Sequence, residues 1–491
     1  MSTSTDVRPE RTLSATGTAY LAAPWNEATR ALPFAAIALT VIAFLAALIP
    51  ISTTYLWDEA VYLSDAENLL SATPYYSEAY YRPPLMRILL WAGSAVMPIE
   101  LFAHILVALF FAAGVGVLYL FGSLLYDRTA GFIAALLMLV SPFFVHWSGK
   151  VMTDIPSTVL AVASFYFVWR QLHQRRGGVW NLVAGGVLMG AAVLMRFPVA
   201  LLIIVPVALV FMRRLTLPAA AWYGGAFAVT MAPWFAWAQM KFGDYLQPLR
   251  VAAEIVAGSE PVPDALYYLK ATWIVGGPLT LFGLIVYLYG ATGRKRGEWL
   301  ASDIPLFVWY LALTAYLTWG SHKELRYIIP VMPALFLLAG RGMAAVRIRK
   351  HALGIAAIAI VLALYPLKRI AYFNGTMDIG EEILLQYAAD TKASAGTIRA
   401  ALRPGDVIYS SAYYPVIAWH TKRETRALWP WDERFYAEFP KNMPKDGVMV
   451  YYHNIHRDPT QEWLARNPSF QKIGERGKLV LYRYRSVAVA R

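Results

Sequence analysis

No cysteine occurs among the 491 residues, which excludes a disulfide frame, a thiolate metal site and a cysteine nucleophile. Charge is scarce as well: 15% of the residues are Asp, Glu, Lys or Arg, where a soluble domain carries about a quarter. Runs of about 15 to 23 residues hold no charged side chain at all, the length a helix needs to cross or nearly cross a hydrocarbon core of about 30 Å. Neither a solenoid-type repeat nor a low-complexity segment is present. Apolar and aromatic residues are abundant, at 58% and 14%. The formal net charge is +13, but the basic residues gather in short loops between apolar runs. That is the topology signal of a membrane protein and not the basic face of a nucleic-acid binder. Residues 1–31 are polar and mixed in sign, and the first apolar run, 32–50, lacks a small-residue cleavage pattern. A retained signal anchor behind a disordered cytoplasmic tail is therefore expected.

Charge-free runs at 33–50, 101–122, 130–146, 155–169, 180–195, 197–211, 218–240, 271–290, 304–319, 327–340 and 352–367 give about eleven crossings. The stretch 84–97 is apolar but contains Arg87 and is closed by Pro98. If it crossed, the loops with Arg128, with Arg170, Arg175 and Arg176, with Arg213 and Arg214, with Arg294, Lys295 and Arg296, and with Arg341, Arg347, Arg349 and Lys350 would all lie outside. The positive-inside rule therefore makes it a juxtamembrane or half-membrane helix and puts those loops in the cytoplasm. The same rule splits 180–211 in two at Arg196-Phe197-Pro198. After residue 370 the hydropathy falls, and a helix-like stretch (381–401) is followed by strand-like runs at 407–409, 448–452 and 478–484. This reads as a small α/β soluble domain of roughly 120 residues. The expected organisation is a tail at 1–31, an all-α polytopic membrane domain at 32–370 and an extracytoplasmic soluble domain at 371–491.

The same parity puts four segments on the outer face, 51–84, 147–154, 241–270 and 320–326, and their ionisable residues converge on one surface. The first holds Trp57-Asp58-Glu59, where Glu59, Tyr62, Leu63, Ala66, Leu69 and Leu70 share one helical face and Asp58 and Asp65 another. An amphipathic helix lying in the interface fits; a solvated helix start favoured by the helix dipole fits Asp58 and Glu59 too. Tyr81-Arg82-Pro83-Pro84 fixes the direction of a guanidinium suited to phosphate, or to a lipid headgroup. Lys150-Val151-Met152-Thr153-Asp154 ends in a carboxylate that serves chemistry or caps the next helix. Ser321-His322-Lys323-Glu324-Leu325-Arg326-Tyr327 packs ionisable side chains before a proline-containing span, and i,i+3 spacing puts Lys323 and Arg326 on one face if the segment is helical. Two cations together can grip a phosphate. Arg196, at the outer junction of two short spans, joins them or snorkels.

Asp58-Glu59 with a downstream tyrosine, then Arg82-Pro83-Pro84-Leu85, then Thr153-Asp154-Ile155-Pro156, then His322-Lys323-Glu324-Leu325-Arg326-Tyr327 before a span with proline: in this order the motifs resemble the GT-C superfamily of membrane glycosyltransferases. The branch they are most similar to is that of the protein O-mannosyltransferases, which use dolichyl-phosphate-mannose, and the lipid A aminoarabinose transferases. The resemblance covers roughly residues 30–345. The aminoarabinose branch usually carries lysine at the Arg82 position, so phosphate binding carries over and the identity of the sugar does not.

The resemblance implies inverting transfer from a polyprenyl-phosphate sugar, dolichyl or undecaprenyl, to a protein, lipid or glycan acceptor. Asp58 would act as general base, with Glu59 and Asp154 orienting hydroxyls. Arg82, Lys323, Arg326, His322 and Arg196 would hold the donor phosphate, and Tyr62, Tyr81, Lys150 and Glu324 would position substrate. No cofactor is required; if a divalent metal (Mg or Mn) is used, Asp58, Glu59 and Asp154 are its natural oxygen ligands. The expected partners are the lipid donor, the acceptor and membrane lipids, with no nucleic acid, in a multi-pass protein of a prokaryotic cell membrane. The competing classes are a lipid-linked-sugar transporter or flippase and a non-catalytic lipid-binding partner. A transporter would need ionisable or unwound elements near the midplane and often an inverted repeat. Here only His104 and His146 lie within spans, and no repeat is visible.

Overall fold

Helices start where the sequence sets proline or a short acceptor ahead of an apolar run. Pro33, Pro142, Pro218 and Pro415 sit in first turns, where the missing N–H costs no intrahelical bond. Asp127 caps the helix after it by accepting from the Ala130 amide at 2.8 Å. The computed structural model describes residues 31–78, 81–173, 178–257, 262–291, 296–345, 379–410, 412–428, 439, 441–453 and 461–486. The tail up to residue 30, the expected span at 352–367 and the basic residues Arg175, Arg176, Arg294, Lys295, Arg347, Arg349 and Lys350 lie outside the described residues.

In chain order the helices are α1 (Leu32–Ala47), α2 (Trp57–Glu67), α3 (Leu85–Ser94), α4 (Ile99–Leu125), α5 (Arg128–Val140), α6 (Pro142–Ser148), α7 (Asp154–His173), α8 (Trp180–Met195), α9 (Ile204–Phe211), α10 (Leu217–Phe242), α11 (Gln247–Ala257), α12 (Tyr267–Ala291), α13 (Arg296–Trp319), α14 (Met332–Ala345), α15 (Ile379–Ala401), α16 (Tyr414–Thr421) and α17 (Gln461–Arg466). Tight 3₁₀ turns occupy Phe197–Ile203 and Leu325–Val331. Among the described residues three helices are long and apolar enough to cross a membrane, Ile99–Leu125, Tyr267–Tyr289 and Leu325–Ala345. The pair α5 and α6, bent by 64°, makes a fourth if counted as one span. Other apolar helices are shorter, among them Leu32–Ala47 and Trp180–Met195, so about eleven crossings remains an expectation. Phe34, Ile37, Val41 and Leu45 on α1 are exposed, and their spacing makes one outward apolar stripe suited to lipid.

Close helix approach depends on glycine. A Cβ on Gly122 of α4 would fall 2.7 Å from the Gly131 Cα of α5, and one on Gly131 would lie 2.6 Å from the Ser123 nitrogen and closer still to the Tyr119 carbonyl oxygen. Small residues of this kind let backbones touch where lipid supplies no hydrophobic drive. At the far end of α4 and α13 from the cavity described below, the buried Asp303 pairs with Arg341 and accepts from the hydroxyls of Tyr126 at 2.8 Å and Tyr287 at 2.7 Å.

The stretch 84–97 is a single ten-residue helix, α3, about 15 Å long and too short to cross. The first outer loop departs from expectation. Its helix α2 was expected to lie half-exposed in the interface, yet every residue from Glu59 to Ala66 is buried. The reason is a cover that the local pattern does not reveal: Val61, on the side away from the bundle, packs with Ala418 of α16 and with Tyr76. The helix also stops at Glu67, leaving Leu69 and Leu70 outside it and Leu70 exposed.

Beyond residue 400, five strands form one sheet in the order β2 (Thr425–Ala427), β1 (Val407–Ser410), β3 (Gly447–Tyr452), β5 (Leu479–Tyr484), β4 (Phe470–Arg476). The pairs β1–β2 and β1–β3 are parallel, and β3–β5 and β4–β5 antiparallel. Alternate residues serve two cores, as the period of two requires. Ile408, Val448, Val450 and Leu481 face Val416, Ile417 and Trp419 of α16 and join the core of the helical bundle. Val407, Tyr409, Met449, Tyr482 and Tyr484 fill the other side. Gly131→Ala should lower stability in detergent by about 1–3 kcal/mol through overpacking. Gly224→Ala on α10, where a Cβ meets nothing within 4 Å, should leave the unfolding midpoint unchanged or slightly higher. Equal midpoints would contradict a glycine-dependent crossing.

Candidate active site

Asp58 and Glu59 are neighbours at the start of α2, about 100° apart around its axis, and they do different things. Glu59 turns inward: its carboxylate accepts from the Leu56 amide at 2.9 Å, closing the helix start, and from the Val151 amide at 2.8 Å. It thereby staples α2 to the loop between α6 and α7. Asp58 turns into a cavity of about 1120 Å³. One of its oxygens accepts from Arg82 Nη2 at 2.9 Å and the other from Arg326 Nη2 at 2.7 Å.

Each arginine is held from behind. Arg82 Nε donates to Glu78 at 2.9 Å, and Glu78 also accepts from the hydroxyls of Tyr76 and Tyr81. Arg326 Nε donates to Glu324, which accepts from Tyr327 OH at 3.0 Å and pairs with His322 Nε2 at 2.9 Å. The result is a ladder of alternating charge, Glu78, Arg82, Asp58, Arg326, Glu324, with the His322 ring hydrogen-bonded at its end. Aromatic rings wall it: Arg82 lies 5.5 Å from the centroids of Tyr62 and Tyr81, and Arg326 5.6 Å from those of Trp147 and Tyr327. Beside the ladder Arg196, 4.9 Å from the Tyr327 centroid, pairs with the fully buried Asp154 at 3.2 Å. Burial pushes the Asp58 carboxyl up, but Arg82 and Arg326 outweigh it and hold the group well below the usual carboxylate range. Burial likewise opposes ionisation of Glu324, and the Arg326 charge with the His322 hydrogen bond brings it down to about 2.

Of the residues expected to act, Asp58, Tyr62, Tyr81, Arg82, Arg196, His322, Glu324 and Arg326 line this cavity. Glu59, Lys150, Asp154 and Lys323 do not. Lys323 reaches the other way and donates to the Val262 carbonyl at 2.6 Å. The i,i+3 argument fails because Glu324 is extended (φ −126°, ψ 145°) and the turn starts only at Leu325, so Lys323 and Arg326 diverge. Lys150 is buried outside the lining. Asp58, Glu59 and Asp154 do not converge as metal ligands, because each answers a different partner. Among the described residues no group of three His, Cys, Asp or Glu is disposed to hold a metal. The sequence reading missed Glu78, whose signal was its spacing four residues before Arg82, and Tyr414, which no local pattern could have indicated. Apolar residues border the cavity too, among them Pro198, Val199, Leu313, Leu317 and Pro330.

Residues 81–237 match the family model of dolichyl-phosphate-mannose-protein mannosyltransferase. The structure superposes on that of ArnT from Cupriavidus metallidurans bound to undecaprenyl phosphate with a TM-score of 0.68 and 17% identity, over 97% of this chain and 99% of that one. The chain has the GT-C fold. A second similar structure is that of the archaeal oligosaccharyltransferase AglB from Archaeoglobus fulgidus in complex with an inhibitory peptide and a dolichol-phosphate, at a TM-score of 0.57 and 14% identity over 86% of this chain and 70% of that one. The Archaeoglobus fulgidus oligosaccharyltransferase in complex with Zn and sulfate gives 0.56 and 16% over 84% and 67%. No curated protein matches the sequence. The GT-C fold and the apolar helices make this an integral membrane protein.

Glu59 and Asp58 should separate in experiment. Glu59→Ala leaves two buried amides unpaired, at about 1–3 kcal/mol each, and should lower the thermal midpoint of the purified GT-C chain by several degrees; a midpoint unchanged from wild type would show that Glu59 is no staple.

Proposed function

We propose that the chain is an inverting glycosyltransferase that takes a sugar from a polyprenyl-phosphate donor and passes it to a protein, lipid or glycan acceptor at the outer face of a prokaryotic cell membrane. In this reading residues 32–370 form the membrane-embedded transferase domain and residues 371–491 an extracytoplasmic domain. The observation that supports it is the half-buried carboxylate of Asp58, held between Arg82 and Arg326, in a cavity whose lining holds Arg196 and also apolar side chains such as Val199, Leu313 and Leu317. A phosphate with a long hydrocarbon tail needs both kinds of lining.

The chemistry follows from these groups. The acceptor oxygen attacks the anomeric carbon from the face opposite the phosphate, and its proton passes to Asp58. The new carbon–oxygen bond forms as the bond to the phosphate oxygen breaks. The phosphate leaves with that electron pair and its added negative charge. It needs charge stabilisation more than a proton, and guanidiniums in a partly dehydrated site supply it.

Asp58 alone between its arginines is a weak base, since its proton affinity is depressed. A donor phosphate competes for the same guanidiniums, each of which spends only part of its N–H inventory on the ladder. As the phosphate draws Arg82 and Arg326 toward itself, Asp58 loses the charges that depress it and becomes a competent acceptor for the proton. Donor binding and base activation are thus one event.

Asp58→Asn, nearly isosteric, should cut transfer from radiolabelled polyprenyl-phosphate sugars by about 10² to 10⁴ or more while undecaprenyl phosphate still binds. More than about a tenth of wild-type activity, a barrier change under about 1.4 kcal/mol, would remove Asp58 as the base. Arg82→Ala and Arg326→Ala should weaken undecaprenyl phosphate binding about tenfold or more, whereas Lys323→Ala should leave it within about twofold. Lys323 behaving like the arginines would overturn this assignment.

The pH profile tests the coupling. A depressed pKa means that Asp58 stays ionised as pH falls through the ordinary aspartate value of about 3.9. In kcat/KM for the donor, which reports free enzyme, no Asp58 acid limb should then appear above about pH 4. In kcat, which reports the donor complex, the limb should lie at higher pH because the guanidiniums have moved. Coincident limbs would mean that the donor does not release the base.

A further inference from the structure

Tyr413 is buried and adopts a left-handed backbone (φ 52°, ψ 16°) at the start of α16, a conformation that only glycine takes without cost. Its hydroxyl is buried without a hydrogen-bond partner among the described residues. Its ring is wedged between those of Tyr387 and Tyr452, with centroids at 5.4 and 5.3 Å, and this packing holds the strained turn. What the turn delivers is direction: the next residue, Tyr414, leaves the C-terminal region and lines the cavity. There its ring stands edge-on to Trp57, with centroids 4.4 Å apart and planes at 76°. Trp57 is the residue before Asp58.

The two rings make a corner beside the carboxylate, and Tyr81 and Tyr62 continue it. The hydroxyl of Tyr81 is committed to Glu78, and that of Tyr62 lies 3.3 Å from Thr153 Oγ1. Both residues border the cavity with the Arg82 guanidinium over one face of each ring. We propose that Trp57, Tyr81 and Tyr414 form the acceptor subsite, and that it takes the apolar face of a sugar ring, so that the acceptor is a carbohydrate and the C-terminal region contributes to its selection. The proposal rests on the glycosyl-transfer reading of the same cavity.

A pyranose matches the corner because one face of the ring is carbon and hydrogen while its hydroxyls lie around the edge. Stacked on aromatic carbon, it brings an edge hydroxyl to the carboxylate next to Trp57. A peptide acceptor must find partners for its own amides and carbonyls, commonly by joining a strand. Among the described residues no strand borders this cavity.

Saturation-transfer NMR on the full chain in nanodiscs tests this directly, using the methyl glycosides of glucose, galactose, mannose and N-acetylglucosamine against the peptide acetyl-Ala-Thr-Ala-amide. Ring C–H signals from at least one glycoside are expected, reduced about fivefold or more in Tyr414→Ala and kept within about twofold in Tyr414→Phe, because the ring and not the hydroxyl makes the contact. Undecaprenyl phosphate should bind wild type and both variants alike. A peptide signal that depends on Tyr414, glycoside signals indifferent to Tyr414→Ala, or Tyr414→Phe falling with Tyr414→Ala would each overturn the proposal. So would loss of undecaprenyl phosphate binding in Tyr414→Ala, which would make the ring a strut of the whole site. Wild-type protein that binds a glycoside but no undecaprenyl phosphate would refute the donor assignment while keeping the sugar-binding corner.

Discussion

Everything in the cavity depends on one carboxylate held between two guanidiniums. Asp58, Arg82 and Arg326 come from segments up to 268 residues apart in sequence, and each loses water on meeting the others. A buried ion pair seldom repays that desolvation in stability. Here the cost is met by completeness: both oxygens of Asp58 accept a charged donor, each arginine has a second carboxylate behind it, and aromatic faces cover the guanidinium planes. Removing any one member strands a charge, so the segments are tied to one geometry.

Rigidity around Asp58 has a second source. The helix that carries it is buried on every side, by the bundle on one and by α16 on the other. Lys422 of that region pairs with Glu67 at the helix end, and Lys392 Nζ donates to the Thr53 carbonyl at 3.0 Å just before its start. The C-terminal region is thus a wall of the cavity, through Tyr414, as much as a neighbour of it. Packing of this kind fixes the helix that carries Asp58, and a fixed helix needs less reorganisation than a mobile one.

Much of this was legible in the sequence because membrane chains make charge rare. Against apolar runs the ionisable clusters stand out, and hydrophobic length alone gave most helix positions. The strand positions at 407–409 and 448–452 were legible from apolar, β-branched and aromatic runs. What failed was local geometry. Lys323 looked like a partner of Arg326 only under the assumption of a helix, and one extended residue, Glu324, breaks that phase. Glu59 and Asp154 are carboxylates near the cavity but outside its lining, one answering backbone amides and the other Arg196. The second face of α2 was unreadable because its cover lies some 350 residues downstream in the chain, as the 355-residue separation of Lys422 from Glu67 illustrates, and nothing in a local period encodes a distant partner.

The charge count gives the cavity a direction of working. In the ion-paired cluster four carboxylates, Asp58, Glu78, Asp154 and Glu324, face three guanidiniums, Arg82, Arg196 and Arg326, and Glu254 adds a further carboxylate to the cavity lining. Such a cluster does not attract an anion by net charge; it admits one only by exchanging partners. Glu78 and Glu324 stay behind their arginines and Asp154 lies away from the cavity, so the carboxylate that can give way is Asp58, which stands between the two guanidiniums and faces the open space. In the proposed reaction an arriving phosphate would therefore displace the one group whose release makes a base. Without the phosphate that base would stay masked, so the carboxylate would take no proton from acceptor or water when there is no sugar to transfer. A site with a surplus of arginines would bind phosphate more tightly and lose this order of events. Near-neutral balance in low dielectric, where each exchange of partner matters more than in water, is what would couple the presence of the donor to the readiness of the acceptor in the proposed reaction.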